Sequence, residues 1–253
     1  MAVSPPQGSR LISRVLPVAI KLWLQTQLDE IGDLAFEIQA TDRQVLSGRI
    51  PGVSLSAQQA VYQGVRITDV TAQATGIAIN IGQVLRGKSL RLKQAFPVEG
   101  QVAFDGDSLG TSSTDSVLAE GLLEFWQTLL AKEPVAAEVA SHYGVAAPPD
   151  LQLDQYQSKL EILGTDLALH LVRRQAGVGA EITTDIKLRG GVEVDQGHIL
   201  RLTSARWCLP TGEQVSSESL HGFSWNLGEQ TDLRSLTIQN DRLTCQCKIM
   251  VQP

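Results

Sequence analysis

The chain has 253 residues, 43% of them hydrophobic and only 19% charged, with a formal net charge of -6. That is enough apolar material for a sizeable core, while the acidic balance argues against gripping a nucleic-acid backbone, which needs a concentrated cationic surface. No apolar run reaches the roughly 18 residues of a membrane-spanning helix. Residues 16–24 lead into Gln25, Gln27, Asp29 and Glu30 without a small-residue cleavage site, so the expected location is cytoplasmic or peripheral on the inner face of a membrane.

Residues 1–9 read as a flexible terminus, and residues 10–253 as one elongated domain with a possible hinge at 133–150. Ser9 can cap a first helix that runs to about Glu30 and includes Pro17. Arg10, Arg14, Lys21 and Gln25 give it a single narrow polar stripe, so protein or lipid must cover the rest of its circumference. It reads either as a helix laid on a sheet or as an interfacial helix dipping into a bilayer. From Leu34 the period changes to two, with a turn over 47–52. Further strands are expected at 53–57, 65–74, 76–81, 89–93 and 98–104, punctuated by glycines as in an antiparallel meander. Within 86–93, Arg86, Lys88, Arg91 and Lys93 interleave with Leu90 and Leu92. They read as the polar face of a strand, with contact to anionic lipid or nucleic acid as the alternative.

Residues 105–115 look like a polar loop, and a second apolar helix is expected over 116–132. Residues 133–150, rich in Pro, Ala and Val, combine a hinge with part of a short helix. The second half returns to strands at 156–163, 166–173, 179–189, 191–195, 198–205, 223–227, 233–239 and 242–251. Ile182, Thr184, Ile186 and Leu188 alternate cleanly, as do Leu243, Cys245, Cys247, Ile249 and Val251.

Chemistry is scarce. His142, His170, His198 and His221 are widely spaced, with no metal-ligand pattern, and His170 reads as solvent-facing. Gly106-Asp107-Ser108-Leu109-Gly110 is formally G-x-S-x-G, but that motif needs a strand leading tightly into a helix, and the expected helix begins several residues later. The sequence offers no phosphate cradle, and the odd set of Cys208, Cys245 and Cys247 reads as free thiols. Neither an enzyme nor a cofactor or metal is expected. What stands out is an apolar surplus: two over-apolar helices and many one-faced strands. They fit an α+β fold in which a strongly curved antiparallel β-sheet wraps apolar helices around a single core, either fully packed or leaving a groove for acyl chains.

The chain also resembles a known family. The likeness is carried by Leu16 to Leu28, by Asp42-Arg43-Gln44-Val45-Leu46-Ser47-Gly48-Arg49-Ile50-Pro51-Gly52-Val53 and by Ala60-Val61-Tyr62-Gln63-Gly64. It continues through Ile79-Asn80-Ile81-Gly82-Gln83-Val84-Leu85-Arg86-Gly87 and the 117–130 helix. On these segments the chain resembles the LmeA-like phospholipid-binding proteins, in the form found in cyanobacteria. The resemblance implies binding, and transfer, of phospholipid or another acyl-chain lipid, on an elongated fold of the TULIP/BPI-like kind, without catalytic residues. On that expectation Leu16, Ile20, Trp23, Leu122, Phe125, Trp126 and Leu129 are candidate lining residues. Arg43 and Arg49 flank Ser47-Gly48 as a candidate headgroup contact. The alternative is a structural or membrane-complex assembly protein that docks through its N-terminal amphipathic helix, and peripheral membrane contact suits both readings.

Overall fold

The structure, a computed structural model, describes residues 16–114, 116–145, 152–174, 185–228 and 232–253. Residues 1–15, with the expected flexible terminus and Ser9, Arg10 and Arg14 of the expected first helix, residues 146–150 of the expected hinge, and residues 179–184 of one expected strand lie outside those residues. In the first half, helix α1 (Leu16–Gln27) precedes strand β1 (Leu34–Gln39), helix α2 (Asp42–Leu46) and the long strands β2 (Arg49–Tyr62) and β3 (Val65–Ala78). Helix α3 (Ile81–Val84), strand β4 (Phe96–Asp105) and helices α4 (Gly106–Ser112), α5 (Val117–Leu130) and α6 (Glu133–Tyr143) follow. The second half consists of β5 (Tyr156–Leu163), β6 (Asp166–Arg173), β7 (Ile186–Asp195), β8 (Ile199–Cys208), β9 (Gln214–Ser216), β10 (Ser224–Asn226), β11 (Asp232–Gln239) and β12 (Arg242–Val251).

The fold is α+β, with a strongly curved, open antiparallel sheet forming half of a barrel and several helices against it. The strands fall into two antiparallel groups. One runs β1-β2-β3-β4-β12-β11, so β12, the last strand of the chain, pairs with β4 of the first half and carries β11 at the edge. The other runs β10-β8-β7-β6-β5, with β9 beside β8. The β2–β3 hairpin closes through Gln63 and Gly64, both at positive φ (48° and 77°), the two-residue turn whose twist matches that of its strands. Asn240 and Asp241 (51° and 58°) do the same between β11 and β12.

Several local expectations change. Residues 47–52 are not simply a turn: α2 forms just ahead of them, its start held by the Thr41 N–H donating to the Gln44 side-chain oxygen at 2.9 Å. The expected 65–74 and 76–81 strands are a single strand, β3, followed by α3. Residues 89–93 form no strand; only an isolated bridge, Ile79 to Leu92, ties them to the sheet. The 105–115 loop contains α4, which starts immediately after β4. Its N-cap is Asp105, whose carboxylate accepts the Ser108 N–H at 2.7 Å and is held below the usual carboxylate range chiefly by that bond. The objection that no helix follows tightly on the strand before Ser108 therefore falls. Ser108 is nevertheless engaged in the helix's first turn, and its hydroxyl accepts from Thr68 at 3.4 Å. Residues 133–143 are helical, with Val135 and Val139 fully buried.

The apolar side chains gather in two clusters rather than the single core expected. The larger lies between the second sheet, α5, α6 and the β4–β12–β11 part of the first sheet. It holds Trp126, Leu129, Leu171, Ile186, Leu188, Trp207 and Phe223, with Leu243 and Phe104 reaching in from the first sheet. The smaller lies at the opposite end of the first sheet, where Leu16 of α1 meets Val45, Ile50, Ile77, Ile79, Ile81, Val84 and Phe96. Helix α4 joins the two sheets through consecutive buried serines. Ser112 Oγ accepts the Arg66 N–H of β3 at 2.8 Å, and Ser113 Oγ accepts the Leu160 N–H of β5 at 3.1 Å. Each hydroxyl donates back into its own helix, to Ser108 O and Gly110 O, so its one proton is used while it accepts from the sheet.

Candidate functional site

The first sheet has one apolar face and one polar face. On the apolar face Phe36 stands opposite Leu55, Val53 opposite Ala74, Ala74 opposite Val98, and Val98 opposite Ile249. Strict alternation along β2 and β3 would turn Ile50 and Ile77 to the other side. The ladder, however, skips the pair Pro51 and Gly76: Pro51 has no N–H to donate, and Gly76 adopts φ +67°. The ribbon twists there, and Ile50 and Ile77 join Val53 and Ala74 on one side.

Helix α1 lies across this face but does not fill it. Between them is a cavity of about 200 Å³ walled by apolar side chains alone. Ile20, Trp23 and Leu24 form its roof; Val53, Leu55, Ala72, Ala74 and Val98 form its floor; Leu90 and Leu92 close one side. Small Ala72 and Ala74 leave the space that larger residues would occupy. Ile249 lines the cavity yet is 48% exposed, which places it at the mouth.

The expected lining residues divide between the two ends of the molecule. Ile20 and Trp23 line this cavity, and Leu16 is completely buried at its α1 end, packed with Ile50 and Ile79. Leu122, Phe125, Trp126 and Leu129 are not among its walls. They sit in the larger cluster, where Phe125 packs edge-on against Trp126, Phe223 and Trp225 at centroid distances of 6.0, 5.5 and 5.7 Å. Trp126 Nε1 donates to Ser158 Oγ at 3.1 Å, and Trp207 Nε1 to Glu138 Oε2 at 2.9 Å. The walls supplied by 36, 53, 55, 72, 74, 77, 90, 92, 98, 249 and 251 escaped the sequence reading. Their alternation was visible, but periodicity does not tell which strands will share a face.

Arg43 and Arg49 are brought together. Both are exposed and line one hollow of about 500 Å³ with Gln44, Ser47, Pro51, Gly76 and Gln94. That hollow shares Ile50 and Ile77 with the apolar cavity, so the two lie on either side of the Pro51–Gly76 twist. Neither guanidinium has a carboxylate partner among the described residues. A larger hollow of about 640 Å³ lies on the sheet's polar face, lined by Ser54, Ser56, Thr71, Gln73 and Gln101. Two of its charged residues are paired, Arg234 gripping Glu99 through two bonds of 3.0 and 2.8 Å with Lys248 at 3.7 Å, while Glu37, which also lines it, has no ion-pair partner among the described residues.

Of the histidines, His170 is not solvent-facing. Its side chain is 13% exposed, 3.5 Å from Glu161, and burial lowers its pKa despite that carboxylate. Cys208, Cys245 and Cys247 are free, and burial pushes the Cys245 thiol up to about 11, so it stays protonated and unreactive at neutral pH. Among the described residues no group of His, Cys, Asp and Glu could hold a metal ion, and no helix is long and apolar enough to cross a membrane.

Searches of curated proteins and of solved structures return no significant match. The family model described as LmeA-like phospholipid-binding, a lipid-binding and non-catalytic family, matches residues 8–248, nearly the whole chain, and the protein belongs to that family.

Proposed function

We propose that this chain binds a phospholipid or another acyl-chain lipid without chemical change, holding an acyl segment in the cavity beneath α1. The observation that carries this reading is a cavity with purely apolar walls on the curved sheet of a chain belonging to a lipid-binding family. Each methylene moved there from water is worth about 0.8 kcal/mol, so about five carbons match the low end, about 4 kcal/mol, of the cost of association. At about 200 Å³ the space is below the usual range for ligand pockets, and a longer chain would enter by lifting α1. The same helix motion would release the lipid, which makes transfer between membranes the natural extension. In this reading Ile20 and Trp23 contact the chain, while Arg43 and Arg49 meet the phosphate at the neighbouring hollow. We read residues 10–253 as one unit, supported by Leu243 and Phe104, which carry the first sheet into the second cluster.

Native mass spectrometry of protein purified without detergent tests this. Lipid adducts are expected on the wild type and should fall sharply in Ala74→Leu, which fills the floor. Repeated failure to find or load lipid on the wild type would remove the proposal. Arg49→Ala should leave neutral-lipid loading intact and weaken loading of anionic lipid; unchanged selectivity would dispose of the headgroup role alone.

A further inference from the structure

The chain is acidic overall, but its charges are segregated. Around the end of the first sheet where α1, α2 and α3 meet, the segments 16–27, 40–52 and 76–98 contain Lys21, Arg43, Arg49, Arg86, Lys88, Arg91 and Lys93. The same segments contain one acidic residue, Asp42. All seven basic side chains are exposed, and none has a carboxylate partner among the described residues. Such an arrangement is self-repelling. A fold bears it most easily when an anionic partner neutralises it.

The same end exposes large apolar side chains. Val18 and Leu22, one turn apart on α1, are 58% and 59% exposed, Leu46 at the end of α2 is 55% exposed, and Leu85 after α3 is 45% exposed. The elements that carry them adjoin. Val18 and Leu22 border a hollow whose other wall is Val84, Gly87, Lys88, Ser89 and Leu90, and α2 packs beside α3. The 85–93 segment explains how one stretch serves two purposes: Leu90 and Leu92 turn inward to wall the apolar cavity, while Arg86, Lys88, Arg91 and Lys93 turn out. The Asn80 side chain pins this segment, accepting the Arg91 N–H at 2.7 Å and donating to Ser89 O at 3.1 Å. The basic residues are therefore displayed from an anchored segment.

We propose that this end of the molecule is a docking face for an anionic lipid surface, with Val18, Leu22, Leu46 and Leu85 entering the interfacial region and the seven basic residues meeting the headgroups. Exposed leucines ringed by unpaired Lys and Arg are what such a surface recognises: apolar insertion and headgroup attraction act together. A protein partner would need carboxylates at matching positions, whereas an anionic bilayer presents phosphates in any lateral arrangement. The face stands beside the cavity that Leu90, Leu92 and Trp23 share with it, but docking does not depend on that cavity being filled.

Flotation of the full chain with vesicles tests the inference. The protein should float with vesicles of phosphatidylcholine mixed with phosphatidylglycerol and stay behind with phosphatidylcholine alone. Raising salt should release it, since exposed charges are screened over a Debye length of about 8 Å at physiological ionic strength. Each basic residue near a charged membrane contributes about five-fold in partitioning, so Lys88→Ala with Arg91→Ala should lower binding about 25-fold. Leu22→Ser with Leu85→Ser should lower it further while leaving circular dichroism unchanged. Equal flotation with neutral and anionic vesicles, or none with either, overturns the proposal, as does indifference to both double variants. A dimer in light scattering that Leu22→Ser abolishes would assign the face to a second copy instead. The wild-type salt and lipid dependence decides the matter even if a variant misfolds. Lipid adducts in native mass spectra together with failed flotation would leave the lipid-holding function standing and remove only the docking face.

Discussion

Around Trp126 each large side chain packs against another and the ring nitrogens find partners, whereas beneath α1 the same kinds of residue leave a hollow. The difference lies in what covers each sheet. The larger cluster is closed from several directions, by α5, α6, the second sheet and the returning strands β11 and β12. Among the described residues the smaller is covered chiefly by the twelve residues of α1, lying over small floor residues. Interiors closed from all sides reach the packing density of organic crystals. A face under one short helix does so only if its side chains match in size, and Ala72 and Ala74 do not reach α1. One end of the molecule thus supplies stability, and the other supplies space.

Substitutions should separate the two ends. The largest effect is expected from truncation: Trp126→Ala should cost about 3–5 kcal/mol and Trp23→Ala well under half of that, read by urea denaturation. Equal losses would mean that the two ends are packed alike. Next comes the joint between the sheets. Ser113→Ala leaves the buried Leu160 N–H without its acceptor and should cost about 1–3 kcal/mol. Overpacking sharpens the contrast further: Val139→Phe in the closed cluster should cost about 1–3 kcal/mol, while Ala74→Leu in the open one should leave stability nearly unchanged. A destabilised Ala74→Leu protein would show that the cavity cannot accept even one added side chain.

The smallest effect should appear with pH. Burial pushes the Glu138 carboxyl up, but hydrogen bonds from Ser217, Trp207 and Ser219 outweigh it, so its folded pKa lies below the ordinary 4.5. A depressed folded pKa means that the stabilisation is present above that value and is lost as pH falls through the lower one. Glu138→Gln should therefore flatten part of the decline of Tm on the acid side and change little of its slope near neutrality. An unaltered acid slope would assign that decline to other carboxylates.

The amino-acid sequence by itself determined the α+β class, the positions of α1 and α5 and the alternating strands, because periodicity and composition are local properties. The lipid-binding family was legible too, through segments such as 42–53 and 79–87. It also marked Arg43 with Arg49 and the 86–93 basic run, although it read the latter first as a strand face. Which residues line the open space was decided by tertiary structure. Leu122, Phe125, Trp126 and Leu129 look as suited to a lipid as Ile20 and Trp23, and nothing local distinguishes a helix that will be enclosed from one that will be only roofed over. The walls at 53, 74 and 98 come from three consecutive strands, and 249 joins their face only when β12, distant in sequence, returns to pair with β4. The local break at Pro51 and Gly76 then sets which side Ile50 and Ile77 occupy. Pairing partners, register and cavity volume arise from contacts between distant segments, and a pattern read along one strand carries none of them.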